Sequence, residues 1–213
     1  EPEHISLYGL QIEQGTPLAV DVEKGKYPIP DDDLAADMYE EAQRRLAANG
    51  FSQYEISNWA KTGKESEHNI IYWLNEPYLG VGPGAHSWLA NQRFANLKSP
   101  RRYATIISDN YENSGPDPVA LMHTPGGPVD QVDATTAAVD VAETMMMGMR
   151  LNEGVTHQRF EERFGVKLES VFPDEVERLL KIGLIEVTDE AVLLSERGRL
   201  LGNEVFAEFI GEG

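Results

Sequence analysis

The chain reads as a mixed fold, an α/β first part followed by an α+β second part. Three observations predict this. Residues 4–57 place one amphipathic helical segment between two segments rich in β-formers. Residues 131–213 run through helical segments, a hairpin and a last helix, and a stretch rich in proline and glycine, residues 113–130, parts the two. The expected units are therefore residues 1–112, a linker at 113–130, and residues 131–213.

Residues 4–12, HISLYGLQI, form a nearly continuous apolar run, the pattern of a strand covered on both faces in a parallel sheet. Gly15-Thr16-Pro17 breaks it. Asp31, Asp32 and Asp33 then offer an N-cap and favourable charge, and Leu34, Met38, Ala42 and Leu46 recur at helical spacing until Asn49-Gly50. The spacing predicts a surface helix with one buried stripe. In residues 51–57, Tyr54 and Ile56 alternate with Gln53 and Glu55, so strand, helix and strand make a right-handed βαβ unit. One such unit leaves strand edges unpaired, and further strands are expected before Glu1. With no initiator Met, the chain reads as a fragment. Residues 87–97 suit an edge strand or hairpin, and Tyr103, Ile106 and Ile107 mark a helix over 101–111.

In the second part, Val132 to Met149 carries a full helical stripe ending in a methionine cluster, which favours core packing over cofactor contact. Thr156 can cap a helix holding Phe160 and Phe164 and stopped by Gly165, and a third helix spans Val171 to Ile182. Leu184–Val187 and Ala191–Leu194 flank Thr188-Asp189-Glu190 as a hairpin, and Ser195 caps the final helix. This order resembles a winged helix. Such modules often bind DNA, but residues 131–213 hold 8 Lys and Arg against 17 Asp and Glu. The whole chain, with 18 basic and 36 acidic side chains, has a net charge of −18. Nucleic acid and anionic membrane are thus disfavoured as partners by repulsion. The absence of cysteine excludes disulfides and thiolate-held clusters in this chain. No apolar run approaches the roughly 20 residues of a membrane span, so the chain reads as cytoplasmic.

The chemistry concentrates in residues 68–88, HNIIYWLNEPYLGVGPGAHSW. Glycine and proline interrupt this run while its Trp and Tyr rings demand burial or a flat ligand. Gly80, Gly82 and Gly84 lack both the Walker A and the GxGxxG spacing, and Pro83 removes an amide, so a tight structural turn is favoured over a phosphate cradle. His68 and His86 have no cysteine or HExxH helix beside them, which weighs against a metal pair. Glu55 and Glu76 could form a carboxylate pair, and sequence gives them no separation.

The order His68-Asn69-x-x-Tyr72-Trp73, Asn75-Glu76-Pro77-Tyr78-Leu79-Gly80, Gly82-Pro83-Gly84-Ala85-His86-Ser87 resembles the oxygen-independent coproporphyrinogen III oxidase-like (HemN/HemW) family of radical SAM proteins. Its HNxxYW signature is similar to the HemW branch, described as haem chaperones. The resemblance implies that residues 4–12 and 51–58 are the last two strands of a partial (β/α)6 barrel, followed by a winged-helix-like C-terminal domain. The first four strands and the cysteine motif for a [4Fe–4S] cluster would lie upstream. For the intact protein it implies S-adenosylmethionine, the cluster, and haem or a porphyrin, with a haem-accepting protein as a further partner. His68, Asn69, Tyr72 and Trp73 are the implied haem residues, and Gly9, Leu10 and Gln11 the implied S-adenosylmethionine pocket. No catalytic residue or metal ligand is expected in this chain, which would be inactive alone and could self-associate through its open strand edge. Two alternatives stay open: part of a true porphyrinogen decarboxylase, from which HNxxYW points away, and an acidic interaction module without chemistry.

Overall fold

The computed structural model describes residues 1–114, 120 and 124–210. Its first sheet contains β1 (His4–Ser6), β2 (Ser52–Glu55) and β3 (Asn58–Ala60), in the order β1-β3-β2. Here the structure corrects the sequence reading. The two expected strands run parallel, as a βαβ unit requires, but β3 lies between them and pairs antiparallel with both. The reason is local. A two-residue turn at Ile56-Ser57 sends the chain back on itself, and all three residues of the returning β3, Asn58, Trp59 and Ala60, are buried, whereas β1 has no buried residue and the bulged β2 only Glu55. The most apolar strand takes the centre. Strand β1 also ends at Ser6 rather than residue 12: Leu7 gives one amide to Ser57, and Gly9, Leu10 and Gln11 lie in exposed, irregular chain.

Between β1 and β2 come α1 (Pro17–Glu23) and α2 (Asp32–Ala48), each capped by the side chain of the residue before it, Thr16 and Asp31. Only the second half of the stripe expected to bury α2 turns inward: Ala42 and Leu46 are half-buried, while Leu34 and Met38 are more than half exposed. The helix also docks through Tyr39 and Gln43. Tyr39 meets Trp59 edge-on at 5.9 Å and donates its hydroxyl to the Ile56 carbonyl at 2.9 Å, while Gln43 donates to Gln53 at 2.8 Å. Burial pushes the Tyr39 hydroxyl pKa up.

Next come α3 (Glu67–Trp73), then β4 (His86–Leu89) and β5 (Gln92–Asn96), which form a hairpin turned by Ala90 and Asn91 at positive φ. After α4 (Pro100–Ser114), β6 (Val129–Ala134) completes a second antiparallel sheet, β4-β5-β6. Part of the expected linker lies outside the described residues. Strand β6 crosses the expected boundary at 130 and replaces the first turn of the helix expected from Val132. Thr136 accepts the Val139 amide as an N-cap, so the helix starts at Ala137 and the preceding residues are free to pair with β5.

The remainder follows the expected order, except that the helix expected from Val171 to Ile182 breaks at Phe172 before Pro173, the last helix breaks at Leu201, and a short strand precedes the helix capped by Thr156. Helix α5 (Ala137–Gly148) leads to β7 (Val155–Thr156), α6 (His157–Phe164), α7 (Leu168–Val171) and α8 (Pro173–Lys181). Then come β8 (Ile185–Val187), β9 (Ala191–Leu194), α9 (Glu196–Leu200) and α10 (Gly202–Ile210). The third sheet has the order β7-β9-β8. Thr156 and Ser195 cap their helices as expected, and Gly165 closes α6 in the left-handed conformation. Met145, Met149, Phe160, Leu179, Val192 and Phe209 belong to the core cluster of this unit. Among the described residues no helix is long and apolar enough to cross a membrane.

The seam between the first sheet and this unit runs through Glu55 and Leu151, which form an isolated bridge, and through Asn152, whose side chain donates to the Gln53 carbonyl at 2.6 Å. The Glu55 carboxylate is almost wholly buried there, accepting from the Ser57 amide and from Asn58. Burial raises its pKa above the usual glutamate value, against these bonds and the charges of Arg150 and His4. The folded state therefore holds the Glu55 proton more tightly than the unfolded chain, and stability from this group is lost as pH rises through the raised pKa. Glu55→Gln removes that loss. In urea titrations the variant should gain on the parent as pH rises from the acid side, and a gap between the two that stays constant with pH would contradict the burial argument.

Candidate functional site

Ser66 starts α3 by accepting the Asn69 amide, and the helix then places His68 and Tyr72 one turn apart on one face. Their side chains share a hydrogen bond of 2.8 Å, with the rings edge-on at 4.7 Å. Tyr72 in turn meets Tyr78 edge-on at 4.5 Å. Burial pushes the Tyr78 hydroxyl pKa up, and neighbouring Arg93 opposes the shift. The other face of α3 points elsewhere: Asn69 donates to the Tyr54 hydroxyl at 3.5 Å, and that hydroxyl also meets His4 at 2.9 Å.

At the end of α3 the chain turns at Asn75, which sits at φ 51° with only 2% of its surface exposed. Asparagine tolerates this left-handed conformation better than most residues. Here its polar groups are also fully used. The side-chain amide donates to Asp140 at 2.9 Å and Thr144 at 3.0 Å on α5, and its oxygen accepts from Arg93 on β5 at 2.9 Å. The backbone carbonyl accepts from the Trp88 indole at 3.2 Å and from Arg163 on α6 at 2.9 Å. Arg163 continues to Asp140 at 2.8 Å, and Arg93 to Glu143 at 2.7 Å. One residue thus pins α3, the second sheet, α5 and α6 together.

The following glycines shape a turn. A Cβ on Gly80 would lie 2.1 Å from the His86 carbonyl, so only glycine fits. The amides of Gly80, Gly82 and Gly84 donate to the Ser87 hydroxyl, the Tyr103 hydroxyl and the Leu97 carbonyl. All three are spent inside the protein, which leaves no amide cradle for a phosphate.

Together these elements line an open cavity of about 900 Å³. Its volume is in the range of small-molecule and cofactor sites. His68, Tyr72 and Trp73 line it from α3, Tyr78 and His86 from the loop and β4, and Arg93, Met146, Met147 and Arg150 from beyond. Leu79 and Val81, the latter 83% exposed, form an apolar lip. Of the residues singled out from the sequence, His68, Tyr72, Trp73 and His86 converge here. Asn69 does not line the cavity, nor do Gly9, Leu10 and Gln11. The methionine cluster divides, with Met145 and Met149 in the core and Met146 and Met147 at the cavity. Glu55 is buried and Glu76 exposed, so the two carboxylates occupy unlike surroundings. Arg93, Arg150 and Asn75 were missed. A lone arginine on a strand or after a helix reads as surface, but the left-handed tolerance of Asn75 just before Pro77 was a usable signal for a turn.

The tail of the chain, residues 136–201, matches the family model described as the HemN C-terminal domain. The whole chain aligns at 36% identity over 212 residues with the haem chaperone HemW of Bacillus subtilis, covering 52% of that protein. The chain is a HemN/HemW relative, matching the C-terminal half of that family. The radical S-adenosyl methionine domain-containing protein 1 of mouse mitochondria is 38% identical over 186 residues, 86% of this chain and 40% of the relative. Coproporphyrinogen III oxidase (HemN) of Escherichia coli, a radical SAM enzyme, has a similar structure, with a TM-score of 0.66 at 15% identity. That match covers 98% of this chain and 48% of the enzyme, and at such identity it carries the fold alone. The chain spans about half the length of the curated HemW relatives it matches.

The Asn75 network makes a direct prediction. Asn75→Ala leaves Thr144, Arg93 and Asp140 short of partners inside the protein and keeps a side chain at positive φ, which should cost about 2–4 kcal/mol. Urea unfolding should show that loss, and a change below about 1 kcal/mol, the size of an ordinary surface substitution, would refute the network.

Proposed function

We propose that the cavity beside α3 is the haem-binding site of a HemW-like protein of which this chain is the C-terminal part. The observation that carries the reading is the convergence of His68, Tyr72 and Trp73 with Tyr78, Met146 and Met147 around one cavity of about 900 Å³. Aromatic and methionine walls suit a flat, apolar macrocycle, and an exposed imidazole at the rim suits an iron with an open axial position. These residues fit haem as cargo. His68 would supply the imidazole and Tyr72, already hydrogen-bonded to it, would set its ring orientation. Asn69 would act from the far side of α3, through Tyr54, rather than on haem itself.

For the intact protein we infer the partial barrel, the S-adenosylmethionine and the [4Fe–4S] cluster of radical SAM relatives. This chain offers no thiolate, so its own residues do not fit the cluster. Gly9, Leu10 and Gln11, just beyond β1, remain the segment offered to the S-adenosylmethionine pocket. The outer edge of β1 and the exposed Leu7, Tyr8, Leu10, Leu34 and Met38 would be covered by the remaining barrel strands, or by a second copy when this chain stands alone. The order helix, strand, helices and hairpin, with β9 between β7 and β8, supports a winged-helix-like tail. Delivery of haem to an acceptor protein follows the name of the relatives.

Haemin titration tests the reading. The chain should bind with a Soret shift and quenching of tryptophan fluorescence. His68→Ala should weaken binding at least about tenfold, since even outer-shell partners of a metal ligand are worth about that much. Unchanged affinity would move His68 to packing, and no binding by the parent chain would refute the site.

A further inference from the structure

The cavity departs from the rest of the molecule in its charge. Acidic side chains outnumber basic ones 36 to 18 in the chain, yet the charged or titratable groups that line the cavity are His68, His86, Arg93 and Arg150, with tyrosines and no carboxylate. Its two arginines are in different states. Arg93 is saturated, held by Glu143 at 2.7 Å and Asn75 at 2.9 Å, and stacked 4.9 Å from the Trp88 ring. Arg150 sits just past α5 between two rings, 5.1 Å from the centre of Trp73 and 4.7 Å from that of Phe206.

Nothing in the described structure accepts a hydrogen bond from the Arg150 guanidinium. Glu55 is near enough to interact electrostatically, but its own hydrogen bonds come from Ser57 and Asn58. Burial lowers the Arg150 pKa from its ordinary value, and Glu55 opposes the shift. A guanidinium carries five N–H donors in a planar fork matched to a carboxylate. Held between two rings, it has already lost much of the side-chain freedom that binding would otherwise remove.

Resting on the haem reading of this cavity, we propose that Arg150 selects the ligand by its acid groups: it anchors an ionised carboxylate of a tetrapyrrole, while the aromatic and methionine walls take the macrocycle. His68 and Arg150 would then hold opposite kinds of feature, an iron and a propionate. The site would prefer tetrapyrroles that keep their propionates over those in which they are esterified.

The test compares haemin with haemin dimethyl ester, titrated into the full chain at neutral pH. The parent chain should bind the free acid at least about tenfold more tightly than the ester, the scale of a charge-assisted bidentate contact. Arg150→Met keeps an apolar stem between the two rings and should lose that preference, binding the free acid and the ester about equally. Arg150→Lys keeps the charge and should keep a reduced preference, which serves if the Met variant does not fold. Equal affinity of the parent for both probes, or a folded Met variant that discriminates fully, would overturn the role of Arg150 and leave the haem site standing. Binding of neither probe would overturn both.

Discussion

The left-handed turn at Asn75 and the five hydrogen bonds described above hold the site in place. The turn adds to the direct packing of α3 on α5 and fixes where the His68–Tyr72 face stands relative to its opposite wall. The conformation and the bonding support one another. Positive φ directs the side chain into the junction, and the bonds made there offset the backbone strain. Arg93, Asp140, Glu143 and Arg163 form one linked, half-buried group, in which each charge has an opposite partner and the buried Asn75 joins the two pairs.

A similar logic explains the electrostatics. A chain at net −18 repels anions at long range, and a site for an acidic ligand must work against that field. Clearing carboxylates from the cavity lining and placing Arg150 between rings gives a local environment opposite to the surface. Long-range repulsion falls off beyond roughly 10 Å at moderate salt, so close contacts in the cavity would set the affinity for the proposed ligand.

What was legible in the sequence follows from the range of the interactions involved. The caps Asp31, Thr156 and Ser195, the Gly165 stop and the 185–194 hairpin are set within a few residues, and all were readable. The order of the first sheet was not. It depends on Trp59 and Ala60 outcompeting their neighbours for the central position, a tertiary contest that periodicity does not record. The first half of the α2 stripe was misassigned for a related reason, since Tyr39 and Gln43 bind the sheet through polar contacts while Leu34 and Met38 are left uncovered. In the site, the HNxxYW segment was visible because its four specified positions lie on one short helix, of which His68, Tyr72 and Trp73 reach the cavity and Asn69 does not. The opposite wall, Arg93, Met146, Met147 and Arg150, comes from residues far along the chain: the methionine cluster was visible but read as core, and the two arginines carried no local signal.

Hydrogen exchange with and without haemin bears most directly on the claim that this cavity takes the ligand. Added haemin should slow exchange in residues 68–88 and 146–150, with His68, Tyr72, Val81 and Arg150 inside the protected segments. Exchange at residues 7–12 and 32–40 should not change. Protection confined to the exposed Leu10 and Met38 face, with residues 68–88 and 146–150 unaffected, would contradict it.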